Sequence, residues 1–260
     1  MTLLLVMVLA AFSVVFSPIV VRVLDRKAGW PLALIFLAAA YFLIREAGPI
    51  LDGTPLTWEV VWIRDLIGTG TDVMFSLRAD ALSLFFTLLA LVIGAIVFIY
   101  STEYLPRQKG STSFYTIMTA FTASILMLVL ADDVLVLFIG WELVSLASFM
   151  LIARSGSGGE AGSIRTLILT FFGGLTLLAA LAIAATKAGT TNLTQILAAD
   201  FWADEPAITI TVAMLIAVSA FTKSAQFPFH FWLPEAMAAA TPVSAFLHAA
   251  AVVKAGIYLL

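Results

Sequence analysis

Residues 112–153 read TSFYTIMTAFTASILMLVLADDVLVLFIGWELVSLASFMLIA. They hold two apolar runs, 112–131 and 133–153. Each is about the 20 residues a helix needs to cross a hydrocarbon core roughly 30 Å thick. Only Asp132 and Asp133 interrupt them, so the runs form a tight antiparallel helix pair with the two acids as a cap at the turn.

The pattern repeats outward. Further apolar runs lie at about 2–21, 30–44, 80–100, 164–186, 207–226 and 243–260, which makes about eight crossings. The run at 30–44 opens on Trp30–Pro31, and proline suits a first helical turn. The first run has no positive residue before it and no small-residue cleavage site after it, so it reads as a retained helix rather than a signal peptide. The 260 residues are 62% hydrophobic and 11% charged. A soluble domain has about 45–50% apolar and about 25% charged residues. A water-soluble fold has no room to hide that much apolar surface, whereas a bilayer does not require it. The fold class read from this is all-α, a polytopic transmembrane helix bundle.

The net charge is −3 with no basic block, which argues against nucleic acid as a partner. The absence of cysteine excludes disulfides, thiolate metal sites and a cysteine nucleophile. Residues 45–78 mix glycine, proline, tryptophan and charge and read as an extramembrane loop or hairpin. Gly156–Gly159 reads as a flexible loop. Segment 192–202, NLTQILAADFW, is too short to span; its Leu193, Ile196, Leu197 and Phe201 have the spacing of an amphipathic interfacial helix. With the N-terminus outside, the inner loops carry Arg22, Arg26, Lys27, Arg107, Lys109, Arg154 and Arg165 against Asp25, Glu103 and Glu160. The outer loops carry most of the acids, so the positive-inside rule places the N-terminus outside. The last run is still apolar at Leu260, which predicts the N-terminal piece of a longer chain.

Charges inside the apolar runs decide the functional reading, because each costs about 2.5–3.5 kcal/mol at the bilayer centre on insertion scales. Glu142 lies about 14 Å along its helix from Asp133, near mid-core, with Ser145 on the same face. It reads as a proton-binding carboxylate or a structural ion-pair member. Lys223 lies in AVSAFTKSAQFPFHFWLPEA, ahead of Pro228 and Pro234. Proline removes a helix hydrogen bond, so the seventh helix is expected to break between Lys223 and Pro228. Broken helices at membrane depth are tolerated against protein or water and recur at transporter ion sites. Ser219, Lys223, Gln226 and His230 fall near one helical face, and a snorkelling lysine is the alternative.

His248 and Lys254 sit in the last run, TPVSAFLHAAAVVKAGIYLL, about 120° apart around its axis. Histidine suits a proton relay but equally a neutral interhelical bond. His230 and Glu235 flank the proline break and read as ion access from the inner aqueous side or as solvated helix-end groups. Asp80 reads as an N-cap. Two histidines without cysteine leave no zinc cluster, and GEAGS and FFGGL are not phosphate cradles by context. No cofactor is expected.

At these residues the sequence resembles the antiporter-like subunits of respiratory complex I and of Mrp-type cation/proton antiporters. Two blocks carry the resemblance: Lys223–Leu260, KSAQFPFHFWLPEAMAAATPVSAFLHAAAVVKAGIYLL, and Gly140–Ile152, GWELVSLASFMLI. The first is similar to the family's lysine-bearing broken helix and histidine helix, the second to its glutamate helix. With Lys254 in VKAGIYLL it is most similar to the N-terminal part of the Mrp A subunit. It departs from the large complex I subunit at TFFGG, 170–174, where that subunit tends to carry charge.

The resemblance implies about fourteen core helices in two inverted five-helix repeats. Residues 1–110 would supply three leading helices with the outer loop 45–78. Residues 111–260 would supply the first repeat, with the chain stopping in the eighth helix. It also implies a relay of Glu142, Lys223, His248 and Lys254 in the cell membrane, with sodium ions and protons as cargo, the bilayer as surroundings and other antiporter subunits as partners. Sodium/proton exchange driven by the proton-motive force is then expected of a transporter rather than an enzyme. The alternatives are a proton-pumping subunit of complex I or a related membrane hydrogenase, and a scaffold whose buried charges only fix helix register.

Overall fold

The computed structural model describes residues 1–64, 73–105, 111–154, 157–237, 239–249 and 252–260. Helix α1 (Thr2–Leu24) turns through a 3-10 segment at Asp25–Ala28 into α2 (Gly29–Ile44). A short α3 (Ala47–Leu51) leads to β1 (Leu56–Ile63), which pairs antiparallel with β2 (Val73–Ala79). The long helices α4 (Ala81–Tyr104), α5 (Ser111–Val129), α6 (Val134–Ala153) and α7 (Ser157–Ala188) follow. Two short helices, α8 (Leu193–Leu197) and α9 (Phe201–Asp204), precede α10 (Pro206–Lys223). A 3-10 turn at Phe229–Phe231, α11 (Trp232–Ala236), α12 (Thr241–Ala249) and α13 (Val252–Leu259) complete the chain.

Among the described residues, seven stretches are long and apolar enough to cross a membrane. The first, Thr2–Ile44, has 43 residues, which would reach about 65 Å if straight, roughly twice a hydrocarbon core. It folds back instead. Asp25 takes a left-handed φ of 49° at the turn. The Thr2 hydroxyl, at the start of α1, donates to Glu46 Oε1 just beyond the end of α2, at 3.2 Å. The stretch therefore supplies two crossings, and the eight apolar runs all find their helices.

Helix α5 packs on α1 and α6, α7 joins α6 to α10, and α4 receives α2 and α12. The outward faces carry large apolar side chains, among them Leu34, Phe85, Ile96, Ile168 and Met214. Several hydroxyls that turn inward are satisfied within their own helix. The hydroxyls of Thr119, Thr122 and Ser124 return to the carbonyls of Tyr115, Met118 and Ala120 at 2.9, 3.0 and 2.7 Å, so they enter an apolar layer without unpaired donors. At Gly140 the α6 backbone meets that of α5 so closely that a Cβ would lie 2.8 Å from Leu128 N. Small residues allow such approach between membrane helices.

The connections sort to two ends. At one end are Thr2–Glu46, the β-hairpin, Asp80, Asp132–Asp133 and the Lys187–Glu205 pair. At the other are Arg26–Glu103, Arg154–Ser113, Tyr104–Thr241 and Arg165–Glu235. The hairpin expected in 45–78 is present, and β2 continues against the α5–α6 turn through Arg78 N to Leu130 O, 2.8 Å, and Asp132 N to Ser76 O, 2.9 Å. Asp80 caps α4 in a capping box with Ser83.

Three expectations change. Asp133 caps α6, its Oδ1 accepting from Leu135 N at 2.7 Å, but Asp132 does not cap. Asp132 instead accepts from Asn192 Nδ2 and from Thr194 N and Oγ1, tying the turn to α8. Burial raises the Asp133 carboxyl above the ordinary carboxylate range, against hydrogen bonds from Thr191 and the α6 N–H groups. Segment 192–202 is two short helices, with Ile196 and Phe201 buried and Leu197 exposed, rather than one amphipathic helix. Residues 157–159 of the expected Gly156–Gly159 loop belong to α7, and Gly156 lies outside the described residues, as do Arg107 and Lys109. Glycine lowers helix propensity by only about 1 kcal/mol, which packing overrides.

Candidate functional site

The seventh crossing breaks where the prolines predict. Helix α10 ends at Lys223, Ala225 takes a φ of 53°, and α11 resumes at Trp232. Three of the carbonyls at the break have donors. Ala220 O accepts from Ser224 N and Ser224 Oγ at 2.8 and 2.6 Å, and Phe221 O from Gln226 N at 3.0 Å. Thr222 O accepts from the indole Nε1 of buried Trp232 at 2.8 Å. Backbone satisfied in this way can be irregular inside an apolar layer.

Lys223 is 0% exposed. Its ammonium sits at the C-terminal, negative end of the α10 dipole and reaches across to α6. It donates to Trp141 O and to Ser145 Oγ, both at 2.6 Å, and lies 4.3 Å from the centroid of the Trp141 ring. Ser145 Oγ donates in turn to Trp141 O at 3.2 Å. A buried cation is thus held by a carbonyl, a hydroxyl and an aromatic face, all on one turn of α6. The snorkelling alternative is excluded.

Glu142 is on that same turn, so α6 presents carboxylate and lysine acceptors side by side. The two groups do not form the direct ion pair that two buried charges suggest: no salt bridge joins them among the described residues. Glu142 Oε1 is buried without a hydrogen-bond partner among those residues. It rests against α7 at Gly174, where a Cβ would overlap it.

Helix α13 brings the last crossing to the break. Gly256 packs so tightly on the end of α10 that a Cβ would lie 2.5 Å from Ala220 O and 2.8 Å from Ser224 N. Lys254, two residues earlier and about 200° around the same helix, is partly buried. His248 is on α12, also partly buried, with Nε2 unpartnered among the described residues. Neither hydrogen-bonds to Lys223, and the link between α12 and α13 lies outside the described residues. The 120° relation expected for a continuous helix is therefore not described.

Two expectations are corrected. Gln226 and His230 do not share a helical face with Ser219 and Lys223, because α10 has ended; both are exposed, and His230 stacks on Phe227 at 5.9 Å. Glu235 is not a free carboxylate, because Arg165 of α7 pairs with it at 2.5 Å. Sequence reading missed Trp141, Trp232, Thr222 and the glycines 173, 174 and 256. The double glycine in TFFGG was visible only as a departure in charge.

The family described as NADH:quinone oxidoreductase/Mrp antiporter, TM matches residues 131–260. The N-terminus of NADH-ubiquinone oxidoreductase (complex I), chain 5, matches residues 62–115. A putative antiporter subunit mnhA2 of Staphylococcus aureus strain MRSA252 is 39% identical over 98% of this chain and 32% of its own length. Among solved structures, the Mrp complex from Dietzia sp. DQ12-45-1b is 46% identical, with a TM-score of 0.89, over 100% of this chain and 28% of that one. The archaeal membrane-bound sulfane sulfur reductase shares the fold, with a TM-score of 0.76 at 22% identity over 95% of this chain and 39% of its own. The chain thus spans about a third of the length of the curated relative and less of the structural one.

Proposed function

This chain belongs to the NADH:quinone oxidoreductase/Mrp antiporter transmembrane family and is a multi-pass membrane protein, and we propose from that membership that it is an ion-translocating part of a multisubunit sodium (cation)/proton antiporter. It works there as a secondary transporter driven by the proton-motive force, not as an enzyme, with the other antiporter subunits as partners. The observation that carries this reading is Lys223: a lysine buried at a broken helix end, held by uncharged acceptors, near a carboxylate with one oxygen that has no partner among the described residues. We assign the proton transfer to the ammonium so held. An approaching cation repels it and favours release, and the Glu142 carboxylate opposes release. Lys223, Glu142, His248 and Lys254 form the relay, with His230 and Glu235 nearer the aqueous side; the Arg165 pair must open before Glu235 meets an ion. Residues 1–110 act as the three leading helices and 111–260 as the first five-helix repeat.

The test is cation-dependent proton flux in vesicles holding the full-length protein in its complex, normalised to assembled protein. His248→Ala and Lys254→Ala are each expected to lower flux about tenfold, roughly 1.4 kcal/mol on the barrier. Wild-type flux in both variants removes these residues from the relay. A complex I-type pump is the second reading, favoured by the match over residues 62–115; recovery of redox subunits with the purified complex selects it.

The proposed orientation puts the N-terminus and the β-hairpin outside and Arg22, Arg26 and Arg165 inside. The 260 residues hold no cysteine, so single cysteines placed here report once any accessible cysteine elsewhere in the complex has been replaced by serine. A membrane-impermeant maleimide applied to intact cells is expected to label Thr54→Cys and spare Lys27→Cys. The reverse pattern inverts the topology.

A further inference from the structure

Two adjacent glycines inside a long helix need a reason. Gly173 and Gly174 lie within α7, and neither has a left-handed φ, so the backbone does not demand glycine. Each is a poorer helix former than alanine. What both positions lack is room. A Cβ on Gly174 would overlap Glu142 Oε1 and come within 2.9 Å of its Cδ. A Cβ on Gly173 would overlap Thr222 Oγ1 and lie 3.0 Å from Thr222 Cβ. Thr222 immediately precedes Lys223. The two glycines therefore face, in turn, the carboxylate on α6 and the residue next to the lysine on α10, and α7 packs on both helices.

We propose that Gly174 is a positioning residue whose bare Cα seats the Glu142 carboxylate and so sets its separation from Lys223. The inference rests on the relay reading above. Its physical basis is that Glu142 Oε1 is buried and takes no hydrogen bond among the described residues. The contact that the described residues give this oxygen is the groove over Gly174. The attraction between two charges falls with their separation, and in a poorly screened interior a displacement of about 1 Å is felt strongly. Gly173 supports the same arrangement from the lysine side by admitting Thr222.

The experiment compares Gly174→Ala, Glu142→Gln, Glu142→Asp and the Gly174→Ala combinations with each, measuring pH profiles of cation-dependent proton flux in vesicles with the whole complex. Gly174→Ala is expected to lower flux about tenfold, roughly 1.4 kcal/mol, and to shift its pH profile. Added to Glu142→Gln it is expected to change neither, because the group it displaces no longer titrates. Added to Glu142→Asp it is expected to be milder than alone, because aspartate is one methylene shorter and withdraws from the groove. If Gly174→Ala fails to assemble, recovery of assembly by Glu142→Asp reports the same contact. A wild-type profile in Gly174→Ala, equal losses in the glutamate and glutamine backgrounds, or no relief from aspartate overturns the proposal while leaving the relay standing. Normal flux in Glu142→Gln ends the relay reading and this inference together.

Discussion

Lys223→Met is expected to abolish cation-dependent proton flux, by at least about a hundredfold or roughly 2.7 kcal/mol, in a complex that still assembles. Methionine keeps an unbranched apolar stem of similar length, and its sulfur packs well against an aromatic ring such as Trp141. The acceptors are not stranded: Ser145 Oγ already donates to Trp141 O. Alanine is a blunter probe, since large-to-small changes in a packed interior cost about 2–5 kcal/mol. The decisive companion is Lys223→Arg. Guanidinium keeps the positive charge and cannot give up its proton in a protein. If the lysine serves only to fix helix register, arginine restores both assembly and flux. If it passes a proton, arginine restores at most assembly. Flux at wild-type level in an assembled Lys223→Met complex would show that protons do not pass through this residue.

The features legible in the sequence were those with local causes. The eight crossings follow from run length, the caps Asp80 and Asp133 from residues that precede apolar runs, and the break after Lys223 from Pro228 and Pro234. What was not legible depends on register between helices. Nothing local says that an ammonium on α10 meets the Trp141 carbonyl and the Ser145 hydroxyl rather than the Glu142 carboxylate. A rotation of α6 by one residue, about 100°, exchanges one for the other. The glycines were opaque for the same reason: Gly158 and Gly159 begin a helix, Gly174 underlies a carboxylate, and Gly256 touches a backbone. Composition alone does not distinguish these uses. The stretch 192–202 was read from its apolar spacing, but Asp132 accepting from Asn192 and Thr194 holds its start to the α5–α6 turn.

Gly256→Val is expected to produce the largest loss of assembled protein of any single substitution considered. The added side chain meets Ala220 O and Ser224 N, which are backbone atoms in the last turn before the break. Neither can rotate away as a flexible side chain would. Ser224 N already donates to Ala220 O at 2.8 Å, so moving either atom opens the bond that ends α10. Extra volume in a packed interior costs about 1–3 kcal/mol when neighbours yield. Rigid neighbours put this case at or above the top of that range, enough to consume much of a typical stability of about 5–15 kcal/mol. The protein that still assembles is expected to transport poorly as well, because prying α13 from α10 displaces the helix that carries Lys254. Gly48→Val is the control: that position is exposed in α3 and has nothing within 4 Å of a Cβ. Assembly is read by fluorescence size-exclusion chromatography of detergent extracts. An unchanged peak and melting temperature for Gly256→Val would mean that α13 does not lie on the end of α10 in the working complex, and Lys254 would then lose its geometric claim to a place in the relay.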